Sequence, residues 1–286
     1  MRRSAIAVAV GATVLGVIAG AVVLAHRGSG NGSAVATTAP TPTPTATPKP
    51  RPPQNPATGR PTDDPVPILM YHIIADPPAD APFPELYVSG NAFGGQIAWL
   101  AAHGFHGVTL QDVYDHWRIG LRLPTHPIVV SFDDGYHSQF ATAAPILHGH
   151  GWPGVLNLEV RNMKRSWGLS PHQVRLLISA GWELDAHTLT HPDLTKIGAA
   201  QLMREVNGSR VVLRTRFDVP VNFFCYPAGR LDDTVVAAVR AAGYLGATTT
   251  APGVATPSDL FRLERVRVGR SDGVAGLIAK LHAAGV

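Results

Sequence analysis

Cysteine is nearly absent from this chain of 286 residues, which contains only Cys225. No intrachain disulfide can therefore form, and a structural zinc site built from several thiolates is excluded. The surrounding residues 221–226 are mostly apolar and strand-like. We therefore expect Cys225 to be a buried structural residue rather than a nucleophile.

An excess of charge is also missing from the chain after residue 65. Six Lys or Arg and two Asp or Glu fall in residues 1–65, which leaves 18 residues of each sign in residues 66–286. The formal net charge of +4 therefore belongs to the amino-terminal part. No Lys- and Arg-rich stripe follows, so a nucleic-acid partner is not expected.

The amino-terminal part has the composition of a targeting segment followed by a spacer. Two arginines precede an uncharged run over residues 4–25, close to the ~20 residues of a membrane-spanning helix. We predict a signal or anchor segment at residues 1–27, through which alone the protein would contact a membrane. Cleavage after export is the alternative, since residues 34–36 have a small-x-small pattern. The Pro- and Thr-rich residues 28–65 predict a disordered, extended linker.

Residues 66–286 alternate short β-branched runs with helical patterns, which predicts one further domain. Strands are predicted at residues 67–71, 107–110, 128–132, 154–158, 182–186, 221–226, 244–249 and 262–268. Helices are predicted at residues 90–103, 111–117, 138–150, 171–180, 199–217, 232–242 and 272–283. This alternation implies an α/β fold with a parallel sheet covered by helices, either open or closed into a barrel.

Polar side chains follow several of these strands, at the ends where α/β folds gather functional groups. They are His72, the adjacent Asp133 and Asp134, and the pair His187 and His191. Three residues separate the paired histidines, which places both imidazoles on one face of a helix or tight turn. Together with a carboxylate they would provide three protein ligands and an open position, as in catalytic zinc sites.

The adjacent aspartates could divide two tasks between them. One could ligate a cation while the other takes a proton from water that the cation has acidified. An isolated Asp-Asp-Gly is equally typical of a simple turn, because both residue types favour turns. The other motifs of the chain must decide between these interpretations.

Three motifs in order resemble those of the polysaccharide deacetylase family, the NodB-homology domain of carbohydrate esterase family 4. They are SFDDG at residues 131–135, HTLTH at 187–191 and FCYPAG at 224–229, and the resemblance spans about residues 66–283. ILMYHII at residues 68–74 and RVRV at 265–268 are most similar to the branch of exported poly-N-acetylglucosamine deacetylases. The resemblance implies a distorted (β/α) barrel of about seven parallel strands and a hydrolase that releases acetate from an N-acetylated sugar.

The resemblance also implies a role for each matching position. Asp133 corresponds to the general base, while Asp134, His187 and His191 correspond to the ligands of a divalent metal, usually zinc. The backbone N–H of Ala228 corresponds to the donor that stabilises the oxyanion.

Other assignments are less direct. For the general acid we favour His72, with His282 in Lys-Leu-His as the alternative. Many relatives carry an arginine at the position of Cys225 that holds the catalytic aspartate, and Arg265 could replace it. Asp185 faces the same side of its strand as the first ligating histidine, and could support that ligand or add a charge to the site.

We therefore expect an extracytoplasmic, monomeric, zinc-dependent deacetylase of an N-acetylated polysaccharide. The alternatives are a non-catalytic carbohydrate-binding wall protein with the same fold, and a metal amidase that acts on a non-sugar amide. Trp152, Trp167 and Trp182 could stack against sugars, although core packing is the ordinary role of each.

Overall fold

The computed structural model describes residues 59–286, so the predicted anchor at residues 1–27 and most of the predicted linker lie outside the described residues. The strands of this part are β1 (Ile68–Tyr71), β2 (Ile73–Ile74), β3 (Tyr87–Val88), β4 (His106–Val108), β5 (Pro127–Asp134), β6 (Val155–Leu158), β7 (Glu183–Ala186), β8 (Phe223–Cys225), β9 (Gly246–Pro252) and β10 (Leu263–Arg267). The α-helices are α1 (Gly90–Ala102), α2 (Leu110–Ile119), α3 (Ala144–Gly149), α4 (Pro171–Ser179), α5 (Ala199–Phe217), α6 (Asp233–Ala241) and α7 (Gly273–Ala283).

Seven parallel strands close into a barrel. The order is β1, β10, β9, β8, β7, β6 and β5, and the pairing of β5 with β1 completes the ring. β4 pairs with the first residues of β5, and β2 and β3 form a separate small parallel sheet. The predicted (β/α) barrel of about seven parallel strands is confirmed.

Alternation along each strand divides the side chains between two apolar clusters. Ile128, Val130 and Phe132 of β5 pack in the cluster shared with the surrounding helices. Val129 and Leu263 belong to the second cluster, which also includes side chains of β4 and α2. Both apolar residues lie toward the amino ends of their strands, so the carboxyl ends are left for polar side chains.

The segment before β1 lies against the barrel. Trp117 Nε1 of α2 donates a hydrogen bond of 2.8 Å to the Asp64 carbonyl oxygen, and Val66 forms an antiparallel bridge with Ala255. The boundary between linker and domain at residue 66 stays a prediction. Within residues 59–286, no helix combines the length and the hydropathy that crossing a bilayer requires.

Candidate active site

The paired aspartates of SFDDG end β5 at the carboxyl edge of the barrel. Asp133 keeps the extended strand conformation, while Asp134 has φ 72° and Gly135 has φ 85°. A Cβ on Gly135 would collide with the Leu158 side chain, so glycine is required there for space as well as for its positive φ. Because the chain turns at this point, the two adjacent carboxylates have different partners.

Asp133 is paired with Arg265, which reaches it from β10. Arg265 Nη1 and Nη2 donate to Asp133 Oδ1 and Oδ2 at 2.8 Å each, and its Nε donates to the Thr249 carbonyl oxygen at 2.7 Å. Asn157 Nδ2 donates to Asp133 Oδ1 at 2.7 Å, and Cys225 Sγ lies 3.6 Å from Asp133 Oδ2. Both members of the ion pair are buried. The structure thus brings Arg265 to the aspartate that it was predicted to hold.

This pairing decides the charge of Asp133. Burial by itself would raise the pKa of the Asp133 carboxyl, but the charge and hydrogen bonds of Arg265 lower that pKa well below its ordinary value. Asp133 is therefore a carboxylate at neutral pH.

Asp134 lies between the two histidines of HTLTH. Its Oδ1 is 3.4 Å from His187 Nε2 and 3.6 Å from His191 Nε2, and one ligand atom from each residue lies within 4.8 Å of the others. His187 Nδ1 is 2.7 Å from the carbonyl oxygen of Cys225, a contact that only an N–H donor can satisfy. In the neutral ring this leaves Nε2 as an unprotonated nitrogen directed at Asp134. Two imidazoles and a carboxylate in this arrangement fit a divalent cation such as zinc.

A second set of ligand types, Asp133, His187 and Cys225, also lies within 4.8 Å. Arg265 already binds both oxygens of Asp133, and a cation beside the guanidinium would be repelled by it. The arrangement therefore favours the Asp134 set as the cation site.

The turn that carries the two histidines is held by a buried acid on α5. Glu205 Oε2 accepts the backbone N–H groups of Leu189 and Thr190 at 2.9 Å each, and Glu205 Oε1 accepts the Thr190 hydroxyl at 2.7 Å. Thr188 and His191 have φ 67° and 57°, so the turn departs from helical geometry. Because non-glycine residues rarely adopt positive φ, this turn needs such external hydrogen bonds. The sequence does not indicate this role of Glu205, because nothing in the local pattern distinguishes it from another helical glutamate.

His72 and His282, the two candidates for a general acid, lie at opposite ends of the barrel. His72 Nε2 is 3.9 Å from Asp133 Oδ2, and His72 Nδ1 has no hydrogen-bond partner among the described residues. Burial lowers the pKa of His72, although Asp133 and Asp134 oppose that shift. His282 is exposed in the last turn of α7. The residues that follow it line a cavity with Pro67 and Pro127, which mark the amino ends of β1 and β5.

The two remaining predicted residues lie on neighbouring strands. Ala228 follows β8 in a short turn, Pro227–Gly229, and has φ 52°. Asp185 is fully buried in β7, and its Oδ1 accepts the backbone N–H of Phe223 at 3.0 Å. Burial raises the pKa of Asp185 to about 7. The hydrogen bond of Asp185 thus joins it to β8 and not to the histidine ligands.

The chain is similar to known proteins over the part that carries this site. The polysaccharide deacetylase family model matches residues 121–247, which include Asp133, Asp134, His187, His191 and Ala228. Over these residues the chain is similar to the polysaccharide deacetylase family. The expected resemblance to polysaccharide deacetylase enzymes is thus confirmed.

Individual members of the family resemble the chain over most of residues 66–286. The protein YxkH of Bacillus subtilis is 26% identical over 212 residues, which cover 74% of this chain and 73% of YxkH. A solved polysaccharide deacetylase from Bacillus cereus is 28% identical, with a TM-score of 0.69, and the match covers 77% of this chain and 69% of that chain. A poly-beta-1,6-N-acetyl-D-glucosamine N-deacetylase of Staphylococcus aureus is 25% identical over 170 residues, 54% of this chain and 58% of that enzyme.

Proposed function

We propose that this protein hydrolyses N-acetyl groups of an N-acetylglucosamine-containing polysaccharide outside the cytoplasm. The proposed reaction requires a divalent cation, for which we propose zinc. The observation that carries the proposal is the arrangement of Asp134, His187 and His191 within 4.8 Å, beside a separate carboxylate that is kept ionised. The name of the Staphylococcus aureus relative supports the choice of glycan. The predicted segment at residues 1–27 supports export and attachment to a membrane, and the protein is proposed to be a monomer.

A cation held by these three side chains would polarise the acetyl carbonyl and acidify a water molecule. Asp133 would be the base that takes a proton from the attacking water. Arg265 holds the pKa of Asp133 low, so the carboxylate is unprotonated and able to accept a proton.

Two further groups of the chain complete the proposed reaction. His72 lies beside Asp133, whose negative charge opposes the lowering of the His72 pKa by burial. Once protonated, His72 would donate its proton to the departing amine nitrogen. The backbone N–H of Ala228, in the turn after β8, donates a hydrogen bond to the carbonyl oxygen as negative charge develops on it. Arg265 and Asn157 keep the carboxylate of Asp133 in one orientation throughout.

Acetate release from N-acetylglucosamine oligomers tests this proposal. The wild-type protein is assayed as purified, after removal of metal by a chelator, and after zinc is returned. We expect activity to disappear on chelation and to return with zinc, while Asp133→Asn binds zinc normally and loses about 10²- to 10⁴-fold in kcat. An N-acetylated amine that is not a sugar serves as the control substrate. Zinc-loaded protein that releases no acetate from any glycan would refute the proposed activity and favour a binding protein.

A further inference from the structure

The five tryptophans of the chain differ in their exposure. Trp117, Trp152 and Trp182 are buried in the apolar clusters, and Trp99 lies partly buried on α1. Trp167 is 45% exposed and follows β6 in the segment that leads to α4. The core packing expected for each tryptophan thus holds for Trp152 and Trp182 but not for Trp167.

The exposed indole is nevertheless held in place. The Trp167 ring stacks on Tyr136 with centroids 5.0 Å apart and an interplanar angle of 28°. The carbonyl oxygen of Trp167 accepts the His137 N–H at 2.8 Å, and Tyr136 forms an antiparallel bridge with Gly168. One face of the indole is therefore covered by the phenol, and its exposed surface lies away from Tyr136. A ring that is already ordered loses little conformational entropy when a ligand packs on it.

This aromatic pair belongs to the same hydrogen-bonded unit as a proposed metal ligand. Tyr136 lies two residues after Asp134, and the two side chains interact. Asn162 Nδ2 donates to the Asp134 carbonyl oxygen at 3.0 Å, and Gly168 lies so close to Asn162 that a Cβ would collide with its carbonyl oxygen. Trp167 is thus fixed relative to the site rather than carried on an independent loop.

The chemistry of this surface suits a sugar ring. A pyranose presents an apolar face of C–H groups and a rim of hydroxyls, and a ligand pocket typically combines aromatic surface with a few polar groups. The segment that carries Trp167 also carries Arg161, whose half-exposed guanidinium pairs with Glu159 at 2.9 Å. Apolar surface and hydrogen-bonding groups therefore lie on one short segment at the edge of the site.

We propose that Trp167, backed by Tyr136, is a stacking subsite for a pyranose ring next to the sugar that is deacetylated. The inference rests on the proposed function and adds to it the place where a neighbouring sugar of the polysaccharide binds. The proposal predicts that a single N-acetylglucosamine contacts the cation site alone, whereas a longer oligomer also covers Trp167.

Kinetics over a series of N-acetylglucosamine oligomers, from one to five units, test the subsite. For Trp167→Ala we expect KM to rise by about 10-fold for the longer oligomers, with kcat within about twofold of wild type and no change for the monosaccharide. Trp167→Phe should restore most of the loss because it keeps an aromatic face. Trp99→Ala is the matched control, since Trp99 stacks on His103, which lines the cavity at the opposite end of the barrel.

Calorimetric titration of the pentamer into zinc-loaded Asp133→Asn protein, with and without Trp167→Ala, measures the subsite without turnover. Weaker pentamer binding in the double variant, with unchanged zinc affinity, supports the subsite even if no glycan is deacetylated. Equal pentamer affinity, or an equal loss for oligomers of every length, overturns it. Should Trp167→Ala fail to fold, Trp167→Leu, which keeps apolar bulk without an aromatic face, is compared with Trp167→Phe by the same criteria. Absence of acetate release by the wild type counts against the proposed function alone.

Discussion

Replacement of Arg265 by methionine should destabilise this protein strongly, and the loss should depend on pH in a defined direction. Arg265→Met keeps a long side chain but removes the guanidinium that donates two hydrogen bonds of 2.8 Å to Asp133. Asp133 is only 2% exposed, so its charge would then be buried without a partner. Breaking a buried ion pair from one side typically costs ~3–5 kcal/mol, and we expect a loss in the free energy of unfolding of that size at pH 7.

The direction of the pH dependence follows from the pKa of Asp133. In the wild type the folded-state pKa lies below the unfolded value of ~3.9, so the pair stabilises the fold above that value and loses its effect as the pH falls through the folded pKa. In Arg265→Met, burial is the dominant influence and raises the pKa of Asp133 in the folded state. The stability deficit of the variant is then largest at neutral pH and shrinks as the pH falls toward ~4, where Asp133 takes up a proton.

Urea-induced unfolding at pH 7.0 and pH 4.5, in the presence of a chelator, measures both effects. We expect the difference between wild type and variant to shrink by more than ~1 kcal/mol at the lower pH, since one pKa unit corresponds to about 1.4 kcal/mol. Arg265→Lys keeps the charge but not the two-point geometry, so it should fall between wild type and Arg265→Met. A double-mutant cycle with Asp133→Asn isolates the pair. A deficit that is the same at both pH values, together with additive single-variant effects, would refute the reasoning.

Three further outcomes follow from the site. Glu205→Gln places an amide opposite backbone N–H groups of the turn that carries His187 and His191, so the Kd for zinc should rise ~10–100-fold. Competition with a chromophoric chelator measures this Kd. The exposed neighbour Arg204 is the control, and Arg204→Gln should leave the Kd unchanged. His72→Ala should lower kcat by about 10²- to 10⁴-fold and His282→Ala should not, and the reverse result would reassign the general acid. The fully buried thiol of Cys225 should resist a thiol-specific reagent in the native protein and react once it is unfolded, and fast native labelling would contradict its burial.

The sequence predicted the elements of the barrel well, because strand alternation and glycine at helix ends are local signals. α5 was predicted with the bounds that it has, Ala199–Phe217. The helix predicted at residues 138–150 instead begins with a wide turn, Gln139–Ala143, before α3. Pro145 lies in the first turn of α3 and has no N–H to extend a ladder back across that point. β2 and β3 have two residues each and depend on their pairing with one another, so no periodicity in the sequence marked them.

The site was predictable where a motif carries it and not where distant segments meet. The aspartates and histidines are named by SFDDG and HTLTH, whose spacing is visible along the chain. Asn157 and Glu205 went unrecognised, although the first hydrogen-bonds the Asp133 carboxylate and the second holds the histidine turn. The local sequence marks neither residue, because the contacts of each are with segments that only the folded barrel brings close. Only the register of β5 with β6, which pairs Asp133 with Asn157, makes the first contact possible.

The guanidinium that holds the Asp133 carboxylate comes from β10 in this chain, at Arg265. The family commonly places an arginine where this chain has Cys225 on β8, whereas Arg265 lies two strands further around the ring on β10. The small Cys225 side chain is 3.3 Å from Arg265 Nη2 and 3.6 Å from Asp133 Oδ2, so the thiol fills the space beside the ion pair. A second guanidinium at that position would meet the first at contact distance, and burying two like charges together is unfavourable. In this chain the small thiol of Cys225 therefore leaves room for Arg265 to reach both oxygens of Asp133 from β10.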